Sequence, residues 1–177
     1  METSYIVTFI GDDRPGLVEQ LSTVIQAAGG NWQESRLSQL QGKFAGLILV
    51  GGLPRDAADG LEIELKALSA SGLSVRVTPT EAHVARPAAR RIQLELMGPD
   101  RPGIVLEVSR ALAAQGFNVV EMDTAVSSAP MSAEPLFQAT IEAEVAPDTA
   151  LETLGEALER IGDEMALDID LQELDAA

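Results

Sequence analysis

Ile92, Leu94 and Leu96 alternate with Gln93 and Glu95, the period-two pattern of a strand with one buried face. Tyr5 to Ile10 is a more apolar counterpart near the start of the chain. After each comes a run with apolar residues at helical spacing: positions 17, 18, 21, 24, 25 and 28 in one case, 104, 105, 108, 111 and 112 in the other. Two further strands are predicted behind each helix, at 31–40 with 43–50 and at 118–126 with 136–145. A second helix carries the stripe Leu61, Leu65 and Leu68, or Leu151, Leu154, Leu158 and Ile161. Closing strands alternate through Leu73, Val75 and Val77, and through Leu167, Ile169 and Leu171. The order β-α-β-β-α-β therefore occurs twice. Right-handed crossovers place both helices of each copy on one face of a four-stranded antiparallel sheet, an α+β architecture.

The two copies are a sequence repeat. Gly11-Asp12-Asp13-Arg14-Pro15-Gly16-Leu17-Val18 returns as Gly98-Pro99-Asp100-Arg101-Pro102-Gly103-Ile104-Val105. The same offset carries Gly29-Gly30-Asn31 onto Gly116-Phe117-Asn118, and Glu34 onto Glu121. Phe44 then matches Phe137, the second copy being lengthened by the turn-rich stretch from Ser127 to Pro135, which reads as a longer hairpin loop. The expected domains are 1–78 and 90–177, joined by a linker at 79–89.

Helix ends are also readable. Pro15 and Pro102 suit a first helical turn, with the preceding aspartates as caps. Gly29 and Gly116 are expected C-terminal caps. Asp148 or Thr149 is expected to cap the last helix, with Glu152 completing a capping box.

Composition narrows the function. Twelve Lys and Arg stand against 28 Asp and Glu, a net charge of −16. Residues 1–86 carry 7 basic and 10 acidic residues, the remainder 5 and 18. Neither half has the basic cluster that phosphate neutralisation needs, so direct nucleic-acid binding is not expected. The chain has no cysteine, which removes disulfides, thiolate chemistry and cysteine metal sites. Its N-terminal residues lack the pattern of a signal peptide, and no apolar run has membrane-spanning length. A cytoplasmic location is the expectation.

Catalytic machinery is hard to find. His83, the one histidine, falls in the linker, so neither a histidine triad nor a multi-histidine metal site is available. Gly11-x4-Gly16 and Gly98-x4-Gly103 imitate the start of a P-loop, but Leu17-Val18 and Ile104-Val105 stand where Lys-Ser/Thr belongs. Asp12/Asp13 and Glu62/Glu64 have the spacing of a solvated face. No enzyme activity, cofactor or metal is expected.

The loop Asp-Arg-Pro-Gly has chemistry of its own. A glycine at the helix start permits close approach to the backbone, and free N–H groups with the positive end of the helix dipole favour a carboxylate there. The neighbouring aspartate can take an ammonium group. One loop thus offers partners to both ends of an α-amino acid, and Asn31 and Asn118 add donors and acceptors. On the residues alone, caps and turns are the stronger description of the same positions. Trp32, which matches Val119, reads as a core or interface aromatic before a ligand-stacking one.

With its β-α-β-β-α-β order, its Asp-Arg-Pro-Gly turns at 13–16 and 100–103 and its Gly-x-Asn segments at 29–31 and 116–118, the sequence resembles a tandem pair of ACT domains. Its two-domain length is similar to the glycine cleavage system transcriptional repressor family. The resemblance implies ferredoxin-like domains that pair side by side and hold amino acids at their interfaces through the first loop and the start of the second strand. Carried over, the ligand-binding residues are Gly11, Asp12, Asp13, Arg14, Pro15, Gly16 and Leu17 with Asn31, and Gly98, Asp100, Arg101, Pro102, Gly103 and Ile104 with Asn118. Two positions depart from a strict repeat: Asp12 becomes Pro99 and Gly30 becomes Phe117. The resemblance implies a regulator that responds to a small amino acid such as glycine and acts through a protein partner such as a transcription activator. A homodimer built by ACT–ACT pairing is expected. The alternative is an interaction module with vestigial pockets, indifferent to ligand.

Overall fold

The computed structural model describes residues 2–54, 56–68, 72–80, 89–128 and 134–174. The chain divides into two compact units, Met1–Val84 and Ala85–Ala177. His83, most of the expected linker and the tip of the longer hairpin at 129–133 lie outside the described residues.

In the first unit, β1 (Glu2–Asp12) leads to α1 (Leu17–Ala27), the hairpin β2 (Asn31–Leu40) and β3 (Lys43–Pro54), then α2 (Ala58–Ala67) and β4 (Ser74–Thr80). The strands are antiparallel to their neighbours in the order β2-β3-β1-β4. Alternation decides the sides. Tyr5, Val7 and Phe9 of β1 are buried with Ile48 and Val50 of β3, and Leu17, Leu21 and Ile25 of α1 and Leu61 and Leu65 of α2 complete that core. Trp32 packs, half-buried, against the same cluster, the core role expected of it. Tyr5 is fully buried and donates its hydroxyl hydrogen to Pro54 O at 2.6 Å, which satisfies the polar end of an otherwise apolar side chain.

The second unit repeats this plan with β5 (Arg90–Pro99), α3 (Ile104–Ala114), β6 (Asn118–Ser128), β7 (Pro135–Val145), α4 (Glu152–Met165) and β8 (Asp168–Leu174), in the order β6-β7-β5-β8. Its core joins Ile92, Leu94 and Leu96 to Ile141 and Ala143, beneath Ile104, Val108 and Leu112 of α3 and Leu154 and Leu158 of α4. The α+β expectation of two four-stranded antiparallel sheets with two helices each is met.

The uncovered faces differ. In the first sheet Ile6 stands beside Leu49, Thr8 beside Leu47, and Ile10 beside Ala45, an apolar centre with Ile10 and Leu47 half-exposed. In the second sheet the equivalent rows carry Glu95, Glu121, Asp123, Glu142, Asp168 and Asp170. Arg90 ties the strand ends together, with Nε and Nη2 on the carboxylate of Glu173 at 2.5 and 2.7 Å and Nη1 on Thr149 O at 2.8 Å.

Helices α1 and α3 end alike. Gly29 N–H donates to Gln26 O and Gly30 N–H to Ile25 O, both at 2.9 Å; Gly116 N–H donates to Ala113 O and Phe117 N–H to Leu112 O, both at 3.0 Å. This is the Schellman pattern, closed by a left-handed glycine. Phe117 joins the core where Gly30 has no side chain, because a Cβ at Gly30 would lie 2.7 Å from Val50 Cγ1. The capping box expected at α4 does not form. Its N-cap is Leu151 without a side-chain bond, and Thr149 is spent in a turn whose N–H donates to Ala146 O at 3.1 Å.

Leu94 is wholly buried at the centre of the second core. Leu94→Ala is expected to cost about 2–5 kcal/mol through lost transfer energy and a residual cavity, measurable as a lower urea midpoint.

Candidate functional site

Both Asp-Arg-Pro-Gly loops join the central strand of a sheet to the first helix of its unit. The N-cap residues are Gly16, at φ +86°, and Gly103, at φ +99°. No side chain caps either helix, which corrects the expectation that the aspartates do so and that the prolines open the helix. A cap must be the residue at the helix boundary; here the boundary is a left-handed glycine, and Asp13 and Asp100 stand three residues before it. Among the described residues no side chain accepts from the N–H groups of the first turns. Each loop is instead pinned by backbone. Asp13 N–H donates to Gly42 O and Asp100 N–H to Pro135 O, both at 2.9 Å.

Other site residues predicted from sequence fall into place around this frame. Gly11 and Gly98 are buried in the ends of β1 and β5, where a Cβ would lie 2.9 Å from Leu73 Cδ1 in one case and 2.6 Å from Ala166 O in the other. Leu17 and Ile104 are buried at the helix starts, and Asp13, Pro15, Asp100, Arg101 and Pro102 are exposed. Asn31 and Asn118 begin β2 and β6 and are exposed. Within a unit they are not near the loop. Asn31 pairs with Gly51 at one end of the sheet while Asp12 pairs with Lys43 at the other, roughly 25–30 Å away at about 3.3 Å per strand residue.

The two loops differ in their charges. In the first unit Lys43 Nζ donates to Asp12 Oδ1. That bond, reinforced by the ammonium charge, holds the Asp12 carboxyl below its ordinary value. Arg14 Nη2 donates to Gln20 Oε1 at 2.9 Å. In the second unit Pro99 and Leu136 occupy the paired positions of Asp12 and Lys43. The counterpart of Gln20 is Glu107, and it accepts from Arg110 Nη1 at 2.9 Å. Among the described residues the side chains of Asp100 and Arg101 have no hydrogen bond or ion pair. They stand instead at a groove of about 680 Å³, lined also by Gly103, Ile104, Val105, Leu106, Ser109 and Phe137.

Val105, Leu106, Ser109 and Phe137 were not foreseen as site residues. The repeat held a signal for Leu106, since it stands where the first copy has Glu19; Phe137 comes from a distant strand, which only the fold reveals. A further concavity of about 860 Å³ lies on the open acidic face of the second sheet. Among the described residues no group of three or more His, Cys, Asp or Glu could hold a metal ion, and no helix is long and apolar enough to cross a membrane.

Family models for the ACT domain match residues 3–78 and 92–162. The chain belongs to the ACT-domain family. It carries two ACT domains in tandem, and solved structures match it along nearly its whole length. An unknown protein from Galdieria sulphuraria is 30% identical, with a TM-score of 0.87 over 99% of this chain and 100% of the other. A candidate glycine cleavage system transcriptional repressor is 19% identical, with a TM-score of 0.72 over 99% of each chain. No curated protein matches the sequence.

Two outcomes follow from this ACT geometry. Gly103→Ala adds a Cβ that meets nothing within 4 Å, so its cost of about 1–2 kcal/mol comes from the left-handed backbone alone, read as a lower denaturation midpoint. For Asp12, whose native value is lowered, the stabilisation by Lys43 is fully present above the ordinary value of 3.8 and is lost as pH falls through the lowered one. The stability difference between the wild type and Asp12→Asn is therefore expected to shrink with acidification below 3.8, followed by urea unfolding across the acid range.

Proposed function

We propose that this ACT pair is a regulatory amino-acid-binding protein, that the loop of the second unit is its responsive site, and that it acts by contact with a protein partner. The observation that carries the reading is the pairing of an uncommitted carboxylate and an uncommitted guanidinium, Asp100 and Arg101, at one end of a groove beside the uncapped start of α3. Arg101 and the helix N–H groups suit a ligand carboxylate, and Asp100 suits its ammonium. Gly98, Pro102, Gly103 and Ile104 shape the loop. Asn118 would contribute from a paired copy of the chain in a homodimer.

Gly11, Asp12, Asp13, Arg14, Pro15, Gly16, Leu17 and Asn31 form the matching set in the first unit. There a structural reading is favoured, because Asp12 and Arg14 are bonded to Lys43 and Gln20. The name of the repressor-like neighbour supports a role in transcriptional regulation. A net charge of −16 favours a protein partner over direct DNA contact. Binding changes partner affinity only to the extent that ligand affinity differs between the free and partner-bound states, a coupling of roughly 1–3 kcal/mol in typical cases. On this reading the protein is not an enzyme, it needs no cofactor, and it works in the cytoplasm.

Thermal unfolding of the full chain in the presence of each of the twenty amino acids at millimolar concentration tests this. A ligand at 100 times its Kd adds about 2.7 kcal/mol, which moves the midpoint by a few degrees. Asp100→Ala is expected to leave the chain folded and to abolish that shift. A flat response across the series would assign both units to ligand-independent interaction.

A further inference from the structure

We infer that the second unit's groove selects an α-amino acid with an apolar side chain over glycine, one ligand per chain. The inference rests on the reading of Asp100 and Arg101 as the amino-acid contacts and adds the class of side chain. Beyond those two residues and Gly103, the groove is walled by Ile104, Val105, Leu106, Phe137 and the single hydroxyl of Ser109. Val105 and Leu106 are 40% and 51% exposed, so apolar surface is available for a ligand to cover. Glycine would engage the charged end and leave that wall in water.

Comparison of the copies isolates Leu106 as the wall residue peculiar to the second unit, since Leu17, Val18, Ser22 and Phe44 stand where it has Ile104, Val105, Ser109 and Phe137. At the loop ends Asp12 and Lys43 give way to Pro99 and Leu136. On the helix, Glu19 gives way to Leu106. The Glu19 carboxylate reaches within 3.9 Å of the point where a Cβ on Gly16 would sit; a ligand carboxylate arriving at that helix start meets a like charge. The replacement of Glu19 by Leu106 removes the repulsion and supplies apolar surface in its place. A buried methylene is worth about fourfold in affinity, so a leucine or methionine side chain half-covered by this wall gains about tenfold or more over glycine.

Isothermal titration calorimetry of the full chain with leucine, methionine, serine and glycine tests the inference. Leucine or methionine is expected to bind one site per chain, about tenfold or more tighter than glycine and serine. Leu106→Ala should weaken leucine severalfold while leaving glycine nearly unchanged. Leu106→Glu, which installs the first unit's residue on an exposed helical position, should abolish binding with the circular dichroism spectrum unaltered. Glycine equal to leucine, two equivalent sites per chain, or undiminished leucine binding by Leu106→Glu overturns the inference while the amino-acid reading stands. If no amino acid binds the folded chain, the amino-acid reading itself falls, and this inference with it.

Discussion

A four-stranded sheet flanked by two right-handed crossovers has both helices on one side, and each unit is organised by that constraint. Tyr5, Val7 and Phe9, or Ile92, Leu94 and Leu96, must be apolar because they lie under the helices. The residues between them are under no such demand. That freedom explains how two sheets with one register plan carry an apolar open face in one case and a row of carboxylates in the other. The same constraint sets the loop's position. The central strand runs under the helices and must turn over the sheet edge to enter the first of them, so its last residues and the first helical turn always meet.

At that turn the backbone provides the support and the side chains are left over. A left-handed glycine redirects the chain, and one N–H to the opposite hairpin fixes the loop's height, through Asp13 in one unit and Asp100 in the other. Neither device needs a particular neighbouring side chain. In the first unit the spare groups are bonded to neighbours, Asp12 in an ion pair with Lys43 and Arg14 in a hydrogen bond to Gln20. In the second, Arg110 occupies Glu107, and Arg101 and Asp100 remain presented to the groove. Surface pairs of this kind contribute little to stability. Their consequence is availability, because a group already paired must be released before it can bind.

Much of this was legible in the sequence. The period-two strands, the helical stripes and the repeated Asp-Arg-Pro-Gly turn lead directly to two α+β units, and Gly29 and Gly116 close their helices as expected. The N-caps were misread because an aspartate before a proline is a familiar helix start, whereas the boundary depends on the φ angle of the next glycine, which composition does not reveal. The distance between Asn31 and the loop could have been foreseen. An eleven-residue helix returns the chain by about 16 Å at 1.5 Å per residue, so the strand behind it begins at the far end. The exchange of partners between Gln20 and Glu107 left no trace in the hydrophobic pattern, since long polar side chains choose among neighbours only after the helix has formed.

Strand β6 is exposed along all eleven of its residues and, among the described residues, pairs on one side only, with β7. Such an edge is a template for unwanted addition of further strands. Here Val119, Met122 and Val126 give it the apolar character that would encourage runaway growth, while Glu121 and Asp123, with Glu142 beside them, give it a uniform negative charge. Another copy of β6 brings the same charges, and like charges placed opposite one another oppose pairing. The acidity of this edge therefore works against open-ended strand addition, and two copies that meet along it must set their carboxylates out of register with one another.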